Sequence, residues 1–334
     1  MPAGSLHLAA KSGMLVGLLI GLLMLGGLVS FNQQRRSESQ KPGDRVVPPP
    51  CNAERALAYL EQLCAIGPRK SGSDGMRRQQ EELTRFFSDR GLTVELQRFN
   101  GHDPESGTPV ELANLIARWR PEREERILIA AHYDTRPYPD QDPRQPRGKF
   151  VGANDGASGV AVLMELAHHL DQLPGSFGVD LICFDGEELV YDGSRDPYFL
   201  GSTHFANAYV QQPPPYRYRN GILLDMVGDR SQEIFYERYS LQYARELTLS
   251  LWKTAERIGA QSFEPRARHY VRDDHLPLNQ IARIPTCDVI DFDYPRPGSG
   301  PKHWHTTSDT PDKCSGESLA TVGSVVFHWL TAQP

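Results

Sequence analysis

The amino-acid sequence predicts an α/β protein, a three-layer α/β/α sandwich around a mostly parallel central sheet. Three observations predict it. Short apolar runs alternate with segments of helical periodicity from residue 126 to residue 332, an order that yields parallel strands covered on both faces. Several of those runs are almost wholly apolar, as strands buried on two sides must be. Several also end in histidine or carboxylate, and sheets of this kind place their sites beyond the carboxyl ends of the strands.

The folded body begins near Asn52. The segment NAERALAYLEQLCAIG carries apolar residues at helical spacing and stops at Gly67-Pro68. RRQQEELTRFFSDRG reads as a second helix ending at Gly91. TVELQRFN alternates as a half-buried strand does, and VELANLIARWR follows it as another. Then the pattern becomes regular. RILIAAHYD is a buried strand, GVAVLMELAHHL a helix, and VDLICFD the next strand. FLGSTHFANAYV is a helix and GILLDMVGD a strand. SLQYARELTLSLWKTAERIG reads as one long helix, IPTCDVIDF as the last strand, and SLATVGSVVFHWLTA as the closing helix. His168 and His169, on the helix after the first buried strand, read as surface residues.

The chain has 334 residues, a formal net charge of -6, 39% hydrophobic residues and 23% charged residues. Those values fit an ordinary globular body and exclude a broad nucleic-acid surface, which needs a basic excess. Five cysteines form no CxxC pair. Cys183 and Cys287 lie inside apolar runs as buried thiols, whereas Cys51 and Cys64 are able to pair in an oxidising compartment.

The start of the chain differs. Residues 14–31, MLVGLLIGLLMLGGLVSF, contain no charge and approach the length of a membrane-spanning helix. The expected organisation is an anchor or signal peptide over 1–31, a polar, proline-rich linker over 32–51 and one catalytic domain over 52–334. An anchor is favoured because no small-x-small cleavage site closes the run. Lys11 on one side and Arg35 and Arg36 on the other leave the orientation open. The expectation is a body tethered to a membrane through the N-terminal helix and lying outside the cytoplasm.

The strand ends carry the chemistry. The first buried strand ends in His132-Tyr133-Asp134, the second in Asp185-Gly186-Glu187-Glu188, and the third contains Asp225. Asn154-Asp155-Gly156 opens a helix, and the loop after the last strand holds His303-Trp304-His305. Carboxylates gathered on one edge raise each other's proton affinity, so the edge calls for a cation. Mixed imidazole and carboxylate donors suit zinc better than magnesium or calcium. Neighbours on a turn cannot both aim at one point, so one of Glu187 and Glu188 binds metal while the other stays free to carry a proton.

These motifs, AAHYDTRP, GANDGASGVAVLMELA, FDGEEL with FLGSTHFA, LLDMVG, DDHLPL and WHTTSD, resemble the zinc aminopeptidase clan. More narrowly they resemble its glutaminyl-peptide cyclotransferase branch, the glutaminyl cyclases of animal and bacterial type, over about residues 52 to 330. The resemblance implies an α/β sandwich with a mixed, mostly parallel sheet of the aminopeptidase/phosphorylase-hydrolase type. In two-metal aminopeptidases the matching positions His132, Asp155, Glu188, Asp225 and His305 bind metal, with Glu187 as the base. All six are present, so this set alone does not separate peptidase from cyclase.

Other positions lean toward the cyclase. The resemblance implies that Asp273, the acid before Asp274-His275, shares a proton with Asp225. That withdraws Asp225 from metal duty and leaves one Zn2+ on Asp155, Glu188 and His305. A peptidase would hold two ions. Asp225 and Asp273 join Glu187 as catalytic residues, and His132 is left as a second-metal or supporting residue. Trp304, Asp274, His275 and Tyr191 are the expected pocket. Animal cyclases carry a tryptophan in the loop that here reads LVYDGSRDPYFLG; this chain offers Tyr191 and Tyr198 instead. The implied substrate is a peptide or protein with N-terminal glutamine, with ammonia released, and the alternative is removal of N-terminal residues from peptides.

Overall fold

The structure, a computed structural model, describes residues 50–334 apart from 296, 299 and 301. The expected anchor and nearly all of the linker lie outside the described residues. Among the described residues no helix is long and apolar enough to cross a membrane.

Two capped helices open the body. Asn52 accepts the Arg55 amide at the start of α1 (Ala53–Ala65), and Ser73 accepts the Met76 amide at the start of α2 (Asp74–Ser88), each satisfying a free first-turn donor. Strands β1 (Thr93–His102) and β2 (Pro109–Trp119) form an antiparallel hairpin. There follow β3 (Glu125–His132), α3 (Ser158–Leu166), β4 (Gly178–Phe184), α4 (Leu200–Gln211) and β5 (Arg217–Asp225). Next come β6 (Ile234–Tyr236), α5 (Arg238–Tyr243), α6 (Arg245–Ile258) and β7 (Phe263–Ala267). The chain ends with α7 (His275–Gln280), β8 (Thr286–Ile290) and α8 (Gly316–Thr331).

The main sheet has six strands in the order β1-β2-β4-β3-β5-β8. Strands β4, β3, β5 and β8 are parallel, while β2 joins β4 antiparallel. The sheet is therefore mixed and mostly parallel at its centre. Its strands alternate between two cores. Ile127, Ile129 and Ala131 of β3 join the core beneath α1, α3, α6 and α8, while Leu128 and Ala130 join the core beneath α4 and α7. Each large apolar side chain so buried contributes about 1.5–3 kcal/mol.

Local expectations needed correction in a few places. The single long helix is two, because Ala244 takes φ -137 and ψ 41 between α5 and α6. Strands β6 and β7 pair as a small separate sheet; three and five residues are too few to show a period. His169 is buried, with Nε2 3.1 Å from Glu165 Oε1. His168 is half-buried, its Nε2 2.7 Å from the Tyr59 hydroxyl. All five cysteines are buried and free.

A buried ion pair bolts the three central strands together. Arg126 of β3 donates through Nε to Asp180 Oδ1 of β4 at 3.0 Å and again through Nη2, and the Tyr218 hydroxyl of β5 donates to Asp180 Oδ2. Gly178 leaves room for this guanidinium, since a Cβ there would lie 2.2 Å from Arg126 Nη1. Replacing Asp180 by alanine leaves a buried, unpaired cation, and chemical denaturation should show a loss of about 3–5 kcal/mol.

Glu165 ties α3 to the start of the body. It accepts from Arg55 Nε and Nη2 at 2.6 Å each and from the Asn52 amide at 2.8 Å. Burial opposes its ionisation, but the His169 and Arg55 hydrogen bonds outweigh it and lower the carboxyl from 4.5 to about 2. The stabilisation is thus complete above pH 4.5 and is lost as the pH falls through about 2. The stability gap between wild type and Glu165→Gln should close over that interval in unfolding curves measured at successive pH values.

Candidate active site

The parallel register gathers the site. His132 ends β3 opposite Phe184 of β4, and Ala130 lies opposite Leu223 of β5. Two residues further on, His132 stands level with Asp225, its Nε2 3.2 Å from Asp225 Oδ1. The turn after Phe184 delivers Glu187 and Glu188 to the same edge.

Two buried aspartates hold the turns that carry the acids. Asp134 accepts the amides of Glu187 at 3.2 Å and Glu188 at 3.0 Å. Asp309 does the same for Asn154 at 2.8 Å and Asp155 at 3.1 Å, and also accepts the Tyr294 hydroxyl at 2.9 Å. Gly156 completes the second turn with φ +96; a Cβ there would meet the Asp134 carbonyl at 2.8 Å and His132 Cε1 at 3.2 Å. A side chain is excluded at this position by both conformation and space. Asp185, the first acid of its motif, faces away and accepts from Ser71 Oγ and the Ala113 amide.

Asp155, Glu188 and His305 place one donor atom each within 4.8 Å of one another. His305 Nε2 is 2.8 Å from Glu188 Oε1 and 3.5 Å from Asp155 Oδ2. Asp155 Oδ2 and Glu188 Oε2 are buried with no hydrogen-bond partner among the described residues. Two orphaned carboxylate oxygens beside an imidazole nitrogen suit a zinc ion. His132, Asp155 and Asp225 form a second group of the same compactness.

The protonation landscape is uneven. Burial and the Glu188 charge raise Asp155 to about 6. Burial and the same charge push Glu187 well above the usual carboxylate range. Burial opposes ionisation of Glu188, yet His305 and Arg136 hold it down to about 2. Asp273 is raised well above the usual range by burial, then by the charge of Asp225. Its Oδ2 has no hydrogen-bond partner among the described residues.

These acids line a cavity of about 500 Å3. Trp304 lines it, stacked on His305 at 3.9 Å between ring centroids and with the Phe292 ring at 5.6 Å. Tyr198, with Phe199, supplies the aromatic side of the loop after Glu188. Tyr191 is absent from the cavity lining; its hydroxyl is bound to Asp103 at 2.8 Å and Lys70 at 3.0 Å. Asp274 and His275 are also off the cavity. Asp274 is fully buried against Ser202, and His275 lies between Glu237 at 3.4 Å and Asp288 at 3.7 Å. A larger cleft of about 680 Å3, lined by α2 and the β1–β2 edge, contains no histidine.

Arg136 and Asp140 were missing from the expected set, and both line the cavity. So were Asp134 and Asp309 as holders of the two turns. The only sequence signal for Arg136 is its place four residues after His132.

Comparison with known proteins places the chain among relatives of known family and fold. The model of peptidase family M28 matches residues 114–330. A glutaminyl cyclase of Fimbriiglobus ruber is 42% identical with a TM-score of 0.80, covering 89% of this chain and 100% of that one. A leucine aminopeptidase precursor of Bacteroides thetaiotaomicron is 30% identical with a TM-score of 0.79, covering 86% and 100%. The glutaminyl-peptide cyclotransferase of Gloydius blomhoffii is 28% identical over 270 residues, 71% of this chain and 69% of that protein. With its fold, its motif order and its acid–histidine edge in register, this chain belongs to peptidase family M28.

Proposed function

We propose that this chain is a zinc-dependent glutaminyl-peptide cyclotransferase, an acyltransferase that converts N-terminal glutamine of peptides to pyroglutamate and releases ammonia. The observation that carries the reading is Asp273. This cavity-lining acid has a proton affinity raised by burial and by Asp225, and a free Oδ2. Two carboxyls in contact can share one proton because one proton affinity is pushed up. Asp225 lies 3.2 Å from His132 Nε2, and a proton held between Asp225 and Asp273 would withdraw it from metal. That withdrawal would leave a single zinc on Asp155, Glu188 and His305, a group whose donor atoms lie within 4.8 Å of one another.

When bound, zinc polarises the γ-carbonyl of the substrate and stabilises negative charge on its oxygen. The chain's own residues do the rest. Trp304 gives the flat side-chain amide an apolar wall. Glu187, unligated and with raised proton affinity, accepts a proton from the α-amine as the new N–C bond forms at the γ-carbon. It returns that proton to the amide nitrogen as the old C–N bond breaks and ammonia leaves. Asp273 orients the departing nitrogen through its free oxygen. Ring closure is intramolecular, so conformer selection and charge stabilisation supply most of the gain.

One observation favours a second reading. The group His132, Asp155 and Asp225 would hold another ion, as a two-metal aminopeptidase requires. The products separate the two readings.

Incubation with a Gln-initiated peptide should give loss of ammonia with the backbone intact, read by mass spectrometry; free glutamine would instead mean the peptidase. In the same assay Glu187→Gln should retain zinc and lower kcat by about 100- to 10,000-fold. Metal analysis of the purified protein should find one zinc per chain, and Asp155→Ala should lose it. Two zinc ions per wild-type chain would overturn the single-metal reading.

A further inference from the structure

We propose that the Arg136–Asp140 ion pair is a positioning clamp that sets His305 and Glu188 for metal. The proposal rests on the reading of Asp155, Glu188 and His305 as the zinc cage.

The clamp is a closed ring of contacts. Arg136 Nε lies 2.7 Å from Asp140 Oδ1, and Nη2 lies 3.2 Å from Oδ2, a two-pronged pairing that fixes both planes. The third nitrogen, Nη1, donates to Glu188 Oε1 at 3.3 Å. Asp140 Oδ1 is 3.1 Å from His305 Nδ1. His305 Nε2 closes the ring at 2.8 Å from Glu188 Oε1.

Each contact leaves the metal-facing atom free. Arg136 occupies Glu188 Oε1, and Glu188 Oε2 remains buried without a partner. Asp140 sits at the Nδ1 edge of His305, which turns Nε2 toward Asp155 and Glu188. The Nδ1 contact falls short of full hydrogen-bond geometry, yet Nδ1 is buried and has no other partner among the described residues. A carboxylate at that nitrogen fixes the tautomer that presents Nε2 as a ligand and raises its basicity.

The loop that carries the clamp is itself docked on the loop that carries His305. The Gln141 amide donates to the His305 carbonyl at 3.0 Å, and Asp142 Oδ2 accepts the Thr307 amide at 2.9 Å. His305 needs such support, because its φ of 55 is in the left-handed region, where non-glycine residues are held by their surroundings. The Asp140 side chain is one-third exposed (33%), so its task is to orient a ligand rather than to fill the core.

The test is metal affinity, measured by competing Zn2+ from the full chain with a chelator, alongside the visible spectrum of the Co2+-loaded protein. Asp140→Ala and Arg136→Ala should each weaken zinc about 10- to 100-fold and shift the Co2+ bands. The double variant should lose less than the product of the two single losses, because the residues act as one unit. Asp140→Glu should restore part of the affinity, which a loss through misfolding would not allow. Wild-type affinity and an unchanged Co2+ spectrum in both single variants would overturn the clamp. So would an affinity loss that follows the denaturation midpoint of the metal-free protein. A wild-type chain that binds no zinc would overturn the cage as well.

Discussion

Buried like charge is the constraint on which the rest depends. Asp155, Glu187, Glu188, Asp225 and Asp273 all face one cavity. Two unit charges 4 Å apart interact by about 4 kcal/mol at the effective dielectric of such a site. His132 and His305 offset part of this repulsion. Protons offset more, as the raised proton affinities of Asp155, Glu187 and Asp273 show. A divalent cation held by Asp155, Glu188 and His305 would offset more, since Asp155 Oδ2 and Glu188 Oε2 are orphaned there.

The fold serves that constraint by delivering acids on rigid supports. Strands β3, β4 and β5 are bolted at their opposite ends by Arg126, Asp180 and Tyr218, which fixes their registers before the site begins. At the site the same device appears twice. Asp134 grips the amides under Glu187 and Glu188, and Asp309 grips those under Asn154 and Asp155. A carboxylate accepting two backbone N–H groups is well satisfied while buried. These two residues turn their oxygens to the backbone and leave the cavity to the others.

The sequence made the sheet and the first line of the site legible, because both obey local rules. Apolar runs and helical spacing located β3, β4, β5, β8 and the covering helices. Histidine and acids at strand ends, with Asp155 in the loop before a helix, then singled out His132, Asp155, Glu187, Glu188 and Asp225, whose donor atoms the fold brings together. Residues defined only by long-range contact stayed hidden. Asp134 and Asp309 look like ordinary loop acids, and Arg136 and Asp140 like ordinary loop charges. Tyr191 and Tyr198 were equivalent by residue type; Lys70 and Asp103, far away in sequence, draw Tyr191 aside. His169 looked like a surface residue because its partners Arg55 and Glu165 come from two different helices. The break at Ala244 escaped because the apolar period runs on across it.

Glu187 and Glu188 show how one turn produces two proton affinities. They are adjacent, both are buried, and one aspartate holds both amides. Burial alone raises each. The difference comes from what the side chains meet. Glu188 turns to His305 and Arg136, whose positive charges hold it ionised. Glu187 feels the charge of Glu188 first, then the opposing charge of His132, whose Nδ1 is 4.0 Å away, and then those of Asp273 and Asp274. A carboxylate among anions has a raised proton affinity, which suits it to take up a proton and pass it on. A carboxylate among cations stays charged and ready to ligate. Placing Arg136 and His305 beside Glu188 is therefore enough to give two adjacent carboxyls opposite proton affinities, although their donor atoms lie within 4.8 Å of one another.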